Sequence, residues 1–213
     1  MRKPLLYLVR HGTTTDSGLK IFRGQRNSVL DKKGFLDAHE LKDFFAKFEW
    51  QRMFCTEMAR AVQTATIICG DQEDCHPETI AEMEPWNIGW LTGQPKTPEN
   101  KKWIEYYDDN LSEAPEGGES IYEFEGRVWP LLVALIQVGY EQGVPCICIA
   151  HSSIIHTLNH LLVGHKNHKE IAVKPGGIIE VFMQDGEILH EAIYKKSSDD
   201  SSFSPGKVAA ERS

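Results

Sequence analysis

Two uninterrupted apolar runs, Leu5 to Val9 and Cys146 to Ala150, stand out in a chain whose other hydrophobic residues are mostly spaced apart. Neither run alternates with polar residues, so both faces of each segment need cover, which is the pattern of a buried strand in a parallel sheet. Met53 to Cys55 predicts a shorter third strand. Between these the period changes. Phe35 to Phe48 carries Ala38, Leu41, Phe44, Phe45 and Phe48, and Ala59 to Ile68 carries Ala61, Ala65 and Ile68, spacings that place apolar side chains on one stripe of a helix. Thr56 stands where it would cap the second of these helices. Ile121 to Val138 predicts a long helix bent by Pro130, and Ser153 to Val163 a shorter one closing near Gly164. Ile178 to Met183 and Glu187 to Ile193 flank Asp185-Gly186, a two-residue hairpin signal.

Strands alternating with helices predict an α/β fold, a three-layer sandwich with a mainly parallel central sheet and helices on both faces. The stretch from Met83 to Gly118 is rich in Trp, Pro, Gly, Asn and charge but has no period, so it reads as a loop or small helical cap over the site, where substrate selectivity would reside. Residues 1–194 are expected to form one domain, and Lys195 to Ser213, dominated by Ser, Asp and Lys, a disordered tail. No internal repeat is present.

Composition then narrows the partners. At 213 residues and 41% hydrophobic content the chain can bury a substantial core, and no apolar run reaches the roughly 18 to 20 residues of a membrane span. The expectation is a soluble protein with no membrane partner. A net charge of -8 opposes non-specific binding to nucleic acid, so any anion must be met by a local basic pocket. Cys55, Cys69, Cys75, Cys146 and Cys148 are odd in number and contain no C-x-x-C pair, which argues against a disulfide framework or a zinc site and suits a reducing cytoplasm. The five apolar residues before Arg10 are too few for the core of a secretory signal.

The candidate chemistry lies where the two buried runs end. Arg10-His11-Gly12 follows the first and His151-Ser152-Ser153 the second. This arrangement puts two histidines at the C-terminal edge of a parallel sheet, where open α/β folds form their ligand crevice and helix N-termini offer free N–H groups. A neutral imidazole is a competent nucleophile toward phosphorus. The transferred phosphoryl group spreads negative charge over its equatorial oxygens and so needs cationic donors around it. Arg10 and Arg60 are candidates, because a planar guanidinium can bind two phosphate oxygens at once.

With these residues in view, the chain resembles the histidine phosphatase, or phosphoglycerate mutase-like, superfamily. Five segments carry the resemblance, in that family's order: Arg10-His11-Gly12-Thr13-Thr14; Gly24-Gln25 with Leu30 and Gly34; Ala59-Arg60-Ala61-Val62-Gln63-Thr64-Ala65; Gly117-Gly118-Glu119-Ser120 with Arg127; and Ala150-His151-Ser152. Together they span roughly residues 5 to 194. The resemblance implies a metal-independent, cofactor-free enzyme in which His11 is transiently phosphorylated while Arg10, Arg60 and His151 hold the phosphoryl oxygens. It also implies a carboxylic acid, in a loop after the second helix, that protonates the leaving alkoxide. Here the chain departs from the pattern: the expected spacing lands on Pro85, leaving Glu84 as first choice and Glu82 as second. Ser17 likewise stands where many members have a phosphate-contacting asparagine, and its hydroxyl has a shorter reach.

The leading expectation is hydrolysis of a small phosphomonoester, with a phosphoprotein as another possible substrate. A phosphoglycerate-type mutase is a second reading. The third is a phosphate-binding regulatory protein with weakened catalysis, raised by Pro85 and Ser17. Other features read as structural. Glu119 is expected to cap or neutralise the start of its helix. His156 and His160 are four apart but lack the Glu of a zinc-protease motif. His165 and His168 sit in a polar loop, and Trp86, Trp90 and Trp103 are expected to pack onto the domain more readily than to stack on a substrate.

Overall fold

In the computed structural model, which describes residues 3–163 and 173–193, the elements run β1 (Pro4–Arg10), α1 (Lys32–Phe45), β2 (Met53–Cys55), α2 (Ala59–Cys69), β3 (Glu78–Thr79), α3 (Pro98–Asp109), α4 (Ile121–Gln142), β4 (Cys146–Ala150), α5 (Ser152–Val163), β5 (Ile178–Gln184) and β6 (Glu187–Ile193). The two apolar runs are the central strands. They pair in parallel from Leu6 with Cys146 to Arg10 with Ala150, within a six-stranded sheet of order β3-β2-β4-β1-β5-β6. β2 and β3 extend the parallel set, and the antiparallel β5–β6 hairpin closes the other edge.

Each central strand is apolar on both faces because each face is covered. Leu6, Leu8, Cys146, Cys148 and Ala150 pack under α4 and α5, while Tyr7, Val9, Ile147 and Ile149 pack under α1 and α2. The result is the three-layer sandwich. α4 approaches β1 so closely that a Cβ on Gly139 would collide with the carbonyl of Leu5.

Helix ends follow their capping chemistry more than the apolar stripe. α1 starts before Phe35 because Asp31 accepts a bond from Gly34 N, and Phe48 falls beyond its end and is 45% exposed. α4 opens on a capping box between Ser120 and Glu123, runs through Pro130 on its exposed face, and ends at Gly143 with φ 64. Ser120, not Glu119, is therefore the cap. On the solvent face, the carbonyl that Pro130 leaves without a helical partner can be hydrated. Asp185 and Gly186 take φ values of 53 and 82, the left-handed pair that a tight hairpin requires.

The 83–118 stretch takes the helical-cap form of its two alternatives, with a helix, α3, capped by Thr97 and with Pro98 in its first turn. Two other features differ from the sequence expectation. Cys69 and Cys75 form a disulfide across the end of α2, while Cys55, Cys146 and Cys148 are free and buried. Thr56 does not cap α2: the cap position is Met58, with no side-chain bond, and the Thr56 hydroxyl is used elsewhere. Among the described residues no helix is long and apolar enough to cross a membrane. The expectations for Gly164, His165, His168 and the Lys195 to Ser213 tail lie outside the described residues.

Candidate active site

β4 enters the sheet between β2 and β1 only after the chain has built β1, β2 and β3, so the strand order reverses beside β1. Loops diverge at such a point and leave a crevice beyond the strand ends. His11 and His151 are the residues that follow β1 and β4, and their rings lie 5.2 Å apart, centroid to centroid. Both are almost fully buried, at 4% and 2% exposure.

Backbone contacts over-determine the position of His11. Its N–H donates to Ala150 O at 3.1 Å, its carbonyl accepts from Gly176 N, and Arg10 N donates to Gly177 O at 2.9 Å. The turn then packs on the start of α1, where a Cβ on Gly12 would lie 2.6 Å from Gly34 O. Thr13 is tied to Asp37 through both its N–H and its hydroxyl, and Gly12 N donates to Thr64 Oγ1 in α2. Two helices and two strands thus hold a single imidazole.

Its hydrogen bonds choose the tautomer. Nδ1 lies 2.7 Å from Gly12 O, an atom that can only accept, so Nδ1 carries the proton. Nε2 then holds the lone pair, and Arg60 Nε donates toward it at 3.2 Å. Burial, and then the charge of Arg60, push the His11 pKa well below the ordinary value of 6.5. The ring is therefore neutral near pH 7. His151 is pushed down in the same direction, first by burial and then by His11 and the arginines. Its Nε2 lies 2.8 Å from Thr56 Oγ1, while its Nδ1 and Arg10 Nε are buried without hydrogen-bond partners.

The surroundings are cationic. Arg10 donates to Val173 O and Arg60 to Arg26 O, fixing two guanidinium groups over the strand ends. Burial, followed by repulsion from Arg23, lowers each of them to about 10. Arg23 and Lys96 complete the set, and Lys96 is itself pushed down by burial, Arg23, Lys101 and Arg10. All four cations, with His11 and His151, line one cavity of about 480 Å³. Sequence reasoning missed Arg23 and Lys96, which lie in loops without a period; Arg23 does adjoin the Gly24-Gln25 segment that carried part of the resemblance.

The two candidate acids separate. Glu84 is partly buried, and burial, reinforced by Glu57, raises its pKa against the opposing pull of Arg127 and Arg60. Glu82 is exposed. The loop that bears both is clamped by Arg127, which donates to the carbonyls of Glu82, Glu84 and Pro85 while pairing with Glu119 at 2.6 Å. Glu119 therefore positions this loop. It also receives Asn87 N, and its carbonyl accepts from Trp86 Nε1.

Ser17 belongs to the turn that follows the His11 segment. It is exposed, its Oγ accepts from Thr14 N at 2.9 Å, and it is absent from the cavity wall. Trp86 lines the cavity, whereas Trp90 and Trp103 pack edge to face, 6.3 Å apart, on the outside of the cap. His156 and His160 line the cavity as well, and His160 Nδ1 pairs with Glu125. No set of three or more His, Cys, Asp or Glu side chains among the described residues is grouped to hold a metal ion.

Residues 6–193 match the sequence model of the histidine phosphatase superfamily, branch 1. A 2,3-bisphosphoglycerate-dependent phosphoglycerate mutase from Bartonella henselae is 28% identical over 201 residues, covering 88% of this chain and 97% of that one. Among solved structures, a mycobacterial glucosyl-3-phosphoglycerate phosphatase in complex with VO3 superposes with a TM-score of 0.74 at 18% identity, over 89% of this chain and 97% of the other. The α-ribazole phosphatase of Shigella flexneri gives 0.72 at 19% identity, over 88% and 93%. At these identities the structures establish the shared fold.

Proposed function

This chain belongs to the histidine phosphatase superfamily, and we propose that it is a phosphomonoester hydrolase working through a phosphohistidine on His11. One observation carries the reading. A buried, neutral imidazole has Nδ1 committed to Gly12 O and its Nε2 lone pair turned toward a guanidinium, in a cavity with four cationic side chains. Mutual repulsion among those cations is relieved when an anion enters, so the site favours a phosphoryl group.

In the first step Nε2 attacks phosphorus, the N–P bond forms and the bond to the ester oxygen breaks. Charge on the equatorial oxygens is met by Arg10 and Arg60, and by His151. In the tautomer whose Nε2 accepts from the Thr56 hydroxyl, 2.8 Å away, His151 presents Nδ1–H as a donor while remaining neutral. Glu84, protonated more readily than an ordinary carboxyl, gives its proton to the leaving alkoxide. In the second step Glu84 takes a proton from water, whose oxygen attacks phosphorus, releasing phosphate and neutral His11.

The mutase names of the sequence relatives support a second reading, in which the phosphoryl group passes to a bound acceptor in place of water. One experiment separates these: hydrolysis of para-nitrophenyl phosphate in the presence of a chelator, wild type against His11→Ala, with free phosphate and phosphorylated glycerate both measured. Chelator-resistant phosphate release that vanishes in His11→Ala is the expected outcome. Transfer to added 3-phosphoglycerate faster than to water would replace hydrolase with mutase.

A further inference from the structure

The cavity has two chemically different ends. α5 begins immediately after His151, and Ser152, His156 and His160 all lie on its cavity wall. At about 1.5 Å per residue, His160 lies roughly 12 Å along the helix from Ser152. Glu125 in the first turns of α4 pairs with His160 and is itself only 8% exposed. The space therefore runs from the strand ends, along α5, to a buried carboxylate on α4.

Charge follows the same axis. Arg10 adjoins His11 in the chain, Arg60 Nε donates toward His11 Nε2, and Arg23 reaches Thr14 Oγ1, so three of the four lining lysine and arginine side chains stand at the His11 end, while Lys96 lies over the Phe22 ring. No other lysine or arginine lines the cavity among the described residues, whereas both lining carboxylates, Asp108 and Glu125, come from the helices of the cap and of the α4–α5 side. Much of the remaining wall is apolar: Phe22, Trp86, Ile88, Ile104, Ile121 and Phe124. A cavity of about 480 Å³ suits a ligand well beyond three carbons in size, and a small phosphorylated hydroxy acid would leave this wall uncovered.

Resting on the phosphate reading of the His11 end, we infer that the substrate is a phosphomonoester of a bulky apolar or aromatic alcohol with no negative charge at its far end. The Glu125 carboxylate, already bonded to His160, gives a distal anion no lysine or arginine to pair with among the described residues, and Trp86 and Ile104 supply the apolar contact.

The test uses hydrolysis-resistant phosphonates, so that it does not depend on turnover. Calorimetric affinities are measured for methylphosphonate, 2-(biphenyl-4-yl)ethylphosphonate, and the 4′-carboxylate and 4′-aminomethyl derivatives of the biphenyl compound. The neutral and aminomethyl compounds are expected to bind at least ~10-fold more tightly than the carboxylate, because like charges brought together without solvent are strongly disfavoured. Both should also exceed methylphosphonate. Glu125→Gln should narrow the gap between amine and carboxylate, and Ile104→Lys, at a partly buried cap position, should raise the carboxylate's relative affinity even if Glu125→Gln fails to fold. A carboxylate bound as tightly as the amine, methylphosphonate bound as tightly as the biphenyl compounds, or no binding by any of them would overturn the inference. Hydrolysis of biphenyl-4-ylmethyl phosphate, measured in parallel, separates the two readings. The expected affinity order without hydrolysis defeats the hydrolase and leaves the inference standing, and hydrolysis with a flat affinity order does the reverse.

Discussion

The cradle at the strand ends and the cap above it enclose one cavity but are held by different forces. His11 and His151 sit directly on central strands whose residues are almost completely buried, and the backbone of each neighbour is hydrogen-bonded to another strand or loop. The cap has a small apolar cluster of its own, Ile88, Leu91 and Tyr107, and is fastened to the domain by the Arg127 and Glu119 clamp, by Met83 in the main core and by backbone bonds to Lys20 and Phe22. A group that must meet phosphorus within a fraction of an ångström belongs on the first kind of support. A surface that selects among alcohols can be carried by the second.

That contrast predicts a gradient of mutational effects. The largest belongs to the cradle: His11→Ala should lower kcat/KM by at least about 10⁴-fold while leaving the unfolding midpoint near wild type, since removing a nucleophile abolishes the covalent route. Residual turnover near wild type would break the comparison at its strongest point. Glu84→Gln should cost about 10²- to 10⁴-fold with alkyl phosphates and far less with para-nitrophenyl phosphate, whose leaving group needs no proton; Glu82→Gln should stay close to wild type with both. The sign of the pH dependence follows from the same two groups. His11 must be neutral, and its depressed pKa keeps it so until the pH drops below the ordinary histidine range. Glu84 must be protonated, so kcat/KM for alkyl esters falls as pH rises through its elevated pKa. Flattening of that alkaline limb in Glu84→Gln would be read directly from a pH profile.

Smaller effects sharpen the boundary between the regions. Arg60→Ala should weaken orthovanadate or phosphate binding by about 1.5 to 3 kcal/mol, the value of a hydrogen bond to a charged group, measurable by calorimetry. Ser17→Ala should change phosphate affinity by less than about 2-fold, because its hydroxyl serves the Thr14 turn, and should appear as a loss of roughly 0.5 to 1.5 kcal/mol of stability in urea unfolding. An affinity loss for Ser17→Ala as large as that for Arg60→Ala would move Ser17 into the cradle.

How legible each region is in the sequence follows from the same difference. Leu5 to Val9 and Cys146 to Ala150 announce themselves because burial on both faces demands an unbroken apolar run, and the histidines come with them. α3 is hidden because only Tyr107 among its residues is buried, so no stripe develops, although Thr97-Pro98 carried the signal of its first turn. β3 has two exposed residues and nothing to pattern. Thr56 looked like a helix cap from spacing alone, and only the approach of β4 turns it toward His151. The Cys69–Cys75 bridge escaped an argument from parity, since an odd count forbids only complete pairing. His156 and His160 have the four-residue spacing of a helix pair and read as structural, and spacing could not show Glu125, which comes from another helix and lies 35 residues from His160 in the chain.

The most direct test of the central claim is to mix the enzyme with an excess of phosphomonoester, quench within milliseconds in alkali, and locate phosphate by mass spectrometry of the peptides. The account predicts an acid-labile, alkali-stable phosphate on the His11 imidazole that is absent from His11→Ala and that, with para-nitrophenyl phosphate as donor, accumulates in Glu84→Gln, where phosphorylation needs no acid but water attack is slowed. Phosphate on any other side chain, or turnover with no phosphoenzyme in any variant, would contradict it.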